Sequence, residues 1–322
     1  MWEYLVRRLG QSLLTIFLVT IVSFGVMHAA PGGPITMLES PKTSAVSLEQ
    51  KKKNLGLDQP VHIQYARWLG RMVQGDFGKT FISQRPVLDL IKPALKNTLI
   101  LMTTSWVLTL LIAIPWGIMN STRPYGLSDN MAAAIGYAGF AMPAFFFGIL
   151  LQMYFAQKLG WFPLSDMHSM SKQGQFLDLV HHMVLPVFTL TTISLASYLK
   201  YARSSMMEVL GQDYVRTARA KGVPERTVIF RHALRNALIP IITILGLALP
   251  GIVAGAALTE TVFNWPGMGR QFVEFAIGRE YSALMAITLI IAVVVIIGNL
   301  LADILYAVVD PRVRLGGKGA SN

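Results

Sequence analysis

The sequence predicts an all-α integral membrane protein with six transmembrane helices and both termini in the cytoplasm. Three observations carry that expectation. Of 322 residues, 53% are hydrophobic and only 14% charged, against roughly 25% charged in an ordinary soluble domain. The apolar residues are gathered into long windows free of Asp, Glu, Lys and Arg, and mean hydropathy is +0.50. The basic residues of the short loops fall mostly on one side of those windows.

A spanning helix needs about 20 apolar residues to cross ~30 Å of hydrocarbon. The first window lies between Arg8 and Glu39, with a span over 9–30. The next windows are 97–122, 130–157, 179–199, 236–259 and 281–302. They place spans near 98–119, 131–157, 182–201, 237–258 and 282–306. Windows of this length are helices, because a barrel strand needs only about ten alternating residues. In the first span, Arg7 and Arg8 precede an apolar run ending in His28-Ala29-Ala30, a faint likeness to a cleavable signal. The apolar part of a signal is usually about 7–15 residues. This run is longer, so an uncleaved signal-anchor helix is expected.

Orientation follows from Lys and Arg in short loops, since long loops translocate largely regardless of charge. An inside N-terminus puts Arg7, Arg8 and Arg123 in the cytoplasm, together with Arg203, Arg216, Arg219, Lys221, Arg226, Arg231 and Arg235 of the 202–236 loop. The tail adds Arg312, Arg314 and Lys318, whereas the short outer loops hold only Lys158, Lys172, Arg270 and Arg279. The net charge of +11 therefore points to membrane topology rather than to nucleic acid.

This divides the chain into a tail and first helix (1–30), an extracytoplasmic segment (31–97), a five-helix core (98–309) and a cytoplasmic tail (310–322). The outer segment is too apolar for a free linker, with Leu55, Val61, Ile63, Tyr65, Trp68, Leu69, Met72 and Phe77. Helical spacing over 61–74 predicts a small folded cap, serving either partner docking or shielding of the bundle.

Several chemistries are excluded. With no cysteine there are no disulfides, thiolate metal sites or cysteine nucleophiles. His181-His182 lacks an i, i+4 partner and no H-E-x-x-H occurs, so no metal site is expected. No phosphate-cradling G-x-x-x-x-G-K-[ST] loop is present, and no nucleophile elbow or pair of intramembrane aspartates. The composition fits a transporter, not an enzyme, and any ATP must be bound by another chain. Asp303 is the main intramembrane charge. It stands only ~10 Å from the cytoplasmic end at ~1.5 Å per residue, so pairing with a base or interfacial water is expected. An ion-coupled carrier would want acids nearer the midplane.

Two sets of residues are candidates for function. Pro143 interrupts the third span, and Pro250 with Gly251-x-x-x-Gly255 the fifth. A mid-helix Pro kinks the helix, and small-x-x-x-small spacing favours close packing, so Gly251 and Gly255 are expected to pack first and line a pathway second. The second set lies in the 202–236 loop, where 212–221 has good helix formers stopped by Gly222-Val223-Pro224. That helix places Tyr214, Ala218 and Lys221 near one face with Thr217 and Ala220 alongside. The small alanines would admit a partner surface, although a solvated positive-inside loop reads the same way in composition.

The ordered blocks APGGP (30–34), LGLDQPVHIQY (55–65), GDFGKTF (75–81), DYVRTARAKG (213–222), RHALRNALIP (231–240), ETVFNWPGMGR (260–270) and NLLADILYAVVDPR (299–312) carry a resemblance over nearly the whole chain. It resembles the B-type permease subunit of dipeptide and oligopeptide ABC importers. The resemblance implies a type I ABC importer fold with an extra N-terminal helix. It also implies a prokaryotic cytoplasmic membrane location, a paralogous C-type permease, two ATPase subunits binding ATP and Mg, an extracytoplasmic solute-binding protein and a peptide substrate. No cofactor is implied in this chain itself. Carried over by position, Asp213, Tyr214, Thr217, Ala218, Ala220 and Gly222 form a coupling helix seated on an ATPase, with Ala218 at the closest approach. His232 and Arg235 depart from the Ile and Pro of the general permease signature. Same-family permeases for nickel, glutathione or a small oligosaccharide remain the alternative.

Overall fold

The computed structural model describes residues 2–29, 58–80, 83–254 and 256–309. Helices account for nearly all of the regular structure there. The first, α1, is Trp2–Ala29, and the amphipathic α2 is Val61–Val73. Then come α3 (Val87–Thr122), α4 (Leu127–Ala141) and α5 (Ala144–Leu151), the last continuing as a π-helical turn over Gln152–Lys158. The long α6 (Phe176–Leu210) leads into the short α7 (Asp213–Ala220). A π-helical turn at Val228–Ala233 then opens α8 (Leu234–Ala254). Short α9 (Ala257–Val262) and α10 (Met268–Ile277) precede the final α11 (Tyr281–Val309).

Among the described residues, α1, α3, α6 and α11 are long and apolar enough to cross a membrane, and α4 with α5 adds a fifth if the bent pair is one span. The 21-residue α8 covers most of the expected 237–258 span. The boundary expected at 97/98 falls inside one helix, since α3 starts at Val87 and carries both Pro93 and Pro115. Pro86 supplies the stop, because a proline ahead of the first helical residue fixes φ and lacks only a donor that would go unpaired.

The expected third span, 131–157, is not one kinked helix. It breaks at Met142–Pro143, and the two arms meet at 102°. Met142 is extended (φ −108°, ψ 130°), as the ring of a following proline demands. Pro143 then begins α5 by accepting the Phe147 amide at 3.1 Å.

The centre of the bundle is the α3–α6 pair. A Cβ on Gly117 would stand 2.7 Å from Ala202 Cβ and 2.8 Å from the Leu199 carbonyl oxygen, so only glycine lets these backbones meet. Hydroxyls inside this apolar core return to the backbone, as Thr109 does to the Ser105 carbonyl at 2.7 Å and Ser105 to that of Leu101 at 2.8 Å. In hydrocarbon such groups must be satisfied internally.

The first helix is fastened to the last by charge at one end and by rings at the other. Arg8 Nη2 lies 3.0 Å from Asp303 Oδ1, which supplies the base expected for the one awkward acid of α11. At the opposite end, Phe24 of α1, Trp68 and Met72 of α2, and Met285 of α11 form one buried cluster. The helix expected over 61–74 is therefore α2, and its apolar face rests on α1 and α11.

Candidate functional site

The loop between α6 and α8 folds into a compact unit around α7. Val215 and Val228 are fully buried in it and Ala218 is 8% exposed, with Val209, Leu210 and Val223 packed alongside. The helix ends in a Schellman turn. The Val223 amide donates to the Ala218 carbonyl at 3.2 Å and the Gly222 amide to that of Arg219 at 2.9 Å. This geometry requires a left-handed residue after the helix, and Gly222 adopts φ +76°. Glycine enters that region without the Cβ clash other residues suffer. Outside the turn, Arg219 Nη2 and Nε reach Glu225 Oε1 and Oε2 at 2.6 and 3.1 Å. The paired guanidinium holds the Glu225 carboxyl below its ordinary range.

The six carried-over residues divide between two faces. Asp213, Thr217 and Ala220 are exposed and recur at helical spacing, with Arg216 beside them. Tyr214 is 43% exposed and its hydroxyl accepts from Asn236 Nδ2 at 2.7 Å, tying α7 to α8. Ala218, expected at the closest approach to a partner, packs against Val215 and Val228 in the loop's own core and keeps 8% of its surface exposed. Period 3.6 puts residues 215 and 218 on one stripe. The apolar Val215 signalled which stripe turns inward, but the alanine alone did not.

Of the pathway candidates, Pro143 is exposed at the α4–α5 break. Gly251 is exposed too, and among the described residues a Cβ there would meet nothing within 4 Å. The backbone at Pro250 lies within α8, and Gly255 lies outside the described residues. His181 and His182 turn to separate backbone carbonyls, those of Trp161 and Asp178.

A second constellation was not anticipated residue by residue, although its sequence, ETVFNWPGMGR, stood out as a block. Glu260 is fully buried. Its carboxylate accepts from Thr98 Oγ1 at 2.7 Å and from the Gly269 and Arg270 amides at 2.8 and 3.1 Å. It thereby closes the N-terminus of α10, where amides lack helical partners. Burial pushes this carboxyl up, while the three donors pull it the other way. Trp265 Nε1 donates to the Asn97 carbonyl at 3.0 Å, and Asn97 Nδ2 to that of Pro266 at 2.9 Å. The block thus clamps the first third of α3 against α9 and α10. Its glycines have steric reasons. A Cβ at Gly267 would sit 2.5 Å from the Glu260 carboxyl carbon, and one at Gly269 2.5 Å from Ala257 Cα.

A proline-broken helical bundle with a short, exposed helix seated on its loop core is the architecture of a type I ABC importer permease. A solved MetNI methionine ABC transporter chain superposes with a TM-score of 0.57 over 70% of this chain and 99% of its own, at 15% identity. The chain belongs to the family described as "Binding-protein-dependent transport system inner membrane component", whose model matches residues 113–315. A companion model for the N-terminal part of such components matches residues 1–103. Among relatives, the oligopeptide transport system permease protein AppB of Bacillus subtilis is 46% identical over 98% of this chain and all of its own. The dipeptide permease DppB and the glutathione permease GsiC of Escherichia coli K12 are 35% and 36% identical, each over 98% of this chain and 99% of its own. The protein is accordingly a multi-pass transport component of the bacterial cytoplasmic membrane. Its family implies ATPase and substrate-binding-protein partners.

Proposed function

We propose that this chain forms half of the translocation pathway of an ATP-driven, binding-protein-dependent importer of dipeptides and oligopeptides. The observation that carries the reading is the 46% identity to an oligopeptide permease along essentially the whole of both chains. In this reading the chain has both termini inside and pairs with a paralogous C-type permease. Two ATPase subunits bind and hydrolyse ATP with Mg, and an extracytoplasmic binding protein delivers the solute.

Force enters through α7. Closure of the ATPases on ATP draws the two coupling helices together and turns the pathway outward, and hydrolysis resets it. The exposed stripe Asp213–Thr217–Ala220 supplies the contact surface. The buried Val215, Ala218 and Val228 make α7 and its turn one rigid body. Motion of the helix is then passed to α6 and α8 through Val209, Leu210 and the Tyr214–Asn236 bond. The open space beside Gly251 faces the paired permease or the pathway.

The test uses the whole importer in proteoliposomes, with uptake of a labelled dipeptide, a labelled hexapeptide and labelled glutathione, each measured separately. Thr217→Trp places a large ring on the exposed stripe, where surface changes cost within about 0.5 kcal/mol of stability. Assembly should persist, while peptide uptake and binding-protein-stimulated ATP hydrolysis fall together. Wild-type uptake and hydrolysis in Thr217→Trp would refute the coupling surface. Glutathione uptake without peptide uptake would move the assignment to the substrate of the GsiC relative.

A further inference from the structure

Two abutting cavities lie where α1, α2 and α11 meet, and neither belongs to the coupling surface. The upper one has a volume of about 280 Å³ and is walled by His28 of α1, Arg67, Trp68 and Arg71 of α2, Lys79, and Tyr281 at the start of α11. The lower one, about 300 Å³, is walled by Ile16 and Thr20 of α1, Leu69 of α2, and Leu289, Val293 and Val294 of α11. Met72 and Phe77 line both, so the two adjoin across these side chains.

Their chemistry is opposite. The upper cavity carries three cations, and among the described residues Arg67, Arg71 and Lys79 form no ion pair. Its one acid, Asp76, already accepts the Gly78 amide at 2.9 Å. Trp68 is buried in this wall, and among the described residues its indole N–H finds no acceptor. The lower cavity is apolar apart from Thr20, whose hydroxyl is taken up by the Phe17 carbonyl and the Tyr65 hydroxyl at 2.7 and 2.9 Å. The lining descends along α1 from His28 to Ile16, a drop of about 18 Å at ~1.5 Å per residue. It descends along α11 from Tyr281 to Val294 in parallel. The outer surface of α1 over this depth is apolar and exposed, as at Leu14, Phe17, Leu18, Ile21 and Val22.

From this juxtaposition we infer that the site holds one anionic phospholipid, its phosphate among Arg67, Arg71 and Lys79 and an acyl chain in the groove between α1 and α11. A cationic mouth opening onto a long apolar trough beside a bilayer-facing helix matches a lipid at both ends. An acidic side chain of a docked protein would use the mouth and leave the trough empty. The three cations at the membrane boundary complement the negative charge of a phosphate headgroup, each by about 1 kcal/mol where the surface is anionic. Such a lipid would brace α2, which holds the N-terminal helix against α11 through Phe24, Trp68, Met72 and Met285. The inference rests on the membrane assignment and is independent of the transported solute. Only the leaflet depends on the proposed orientation, which makes it the outer one.

The test is lipid retention by the purified importer in nanodiscs and detergent, with phosphatidylglycerol, phosphatidylcholine and glycerol phosphate as probes. Native mass spectrometry should find phosphatidylglycerol retained and saturable, with phosphatidylcholine and glycerol phosphate ineffective. Arg67→Ala with Arg71→Ala should weaken retention about 30-fold, as the loss of two surface cations implies. Val293→Trp, which fills the trough, should weaken it while leaving the mouth intact. Equal retention of phosphatidylcholine, or unchanged phosphatidylglycerol retention in both variants, would overturn the inference. Response to glycerol phosphate alone would also overturn it, by reducing the site to an anion pocket. So would a double arginine variant that keeps its lipid but loses stimulation by the binding protein, since the mouth would then be a protein-docking surface. Thr217→Trp, which disables coupling in the reading above, should retain lipid normally, so failure of one idea is distinguishable from failure of the other.

Discussion

Glu260→Ala is the most demanding test of how this fold is held together. The wild-type carboxylate serves three donors at 2.7, 2.8 and 3.1 Å in a site closed to solvent. Leaving a buried donor unsatisfied costs about 1–3 kcal/mol. Three such donors set a range of roughly 3–9 kcal/mol, with water entering the vacated space reducing it. A working value is on the order of 4 kcal/mol, a large share of the ~5–15 kcal/mol that holds a typical domain. Glu260→Gln can keep its oxygen on the Gly269 and Arg270 amides but turns an NH2 toward the Thr98 hydroxyl, so it should fall between wild type and alanine. Gly267→Ala should mimic the loss by crowding, since its Cβ would sit 2.5 Å from the carboxyl carbon at an ordinary φ of −102°. Melting of the purified importer, followed by fluorescence-detected size exclusion, measures all three. A Thr98→Val and Glu260→Gln cycle should be non-additive by about 0.5–3 kcal/mol, as partners in one network are. Exposed Glu274→Ala, which removes the 2.8 Å pair with Arg270 and a 3.4 Å bond from Gln271 Nε2, is the control and should cost about 1 kcal/mol or less. If Glu260→Ala melts with Glu274→Ala and the cycle is additive, the clamp does not hold α3 to α10.

The loop around α7 yields two further expectations. Ala218→Glu should open the loop rather than merely uncouple it, because it forces an unpaired carboxylate against Val215 and Val228. Limited proteolysis at Arg216 and Arg219 should then be fast, whereas Thr217→Trp stays resistant. Equal resistance in the two variants would return Ala218 to the exposed face. Gly222→Val places a β-branched residue at φ +76° and should destabilise the turn by at least about 1–2 kcal/mol. Gly222→Asn, which tolerates the left-handed region, should recover most of the uptake, and a valine variant with normal uptake would contradict the Schellman geometry.

Much of this protein was legible in the amino-acid order because the signals are local. Charge-free windows mark α1, α3, α6 and α11, since hydrocarbon tolerates only satisfied backbone and apolar side chains. A glycine followed two residues later by proline marked the end of α7, since both act through their own backbone angles. Even the partner of Asp303 was foreseeable in kind, because a carboxylate near the membrane edge needs a base.

What the order of residues left open concerns the third dimension. Whether Pro143 kinks or breaks its helix depends on the α4–α5 surroundings that accept a 102° turn. Which side of α7 turns inward was settled by Val228, ten residues beyond Ala218, closing over it. Glu260 finds Thr98 across 162 positions of sequence, and no periodicity announces such a pair. The sequence by itself determined where the helices lie and where they stop, because propensity, capping and transfer from water are properties of neighbouring residues. Only the tertiary structure decided which faces meet, because burial and buried hydrogen bonds are properties of groups brought together from distant parts of the chain.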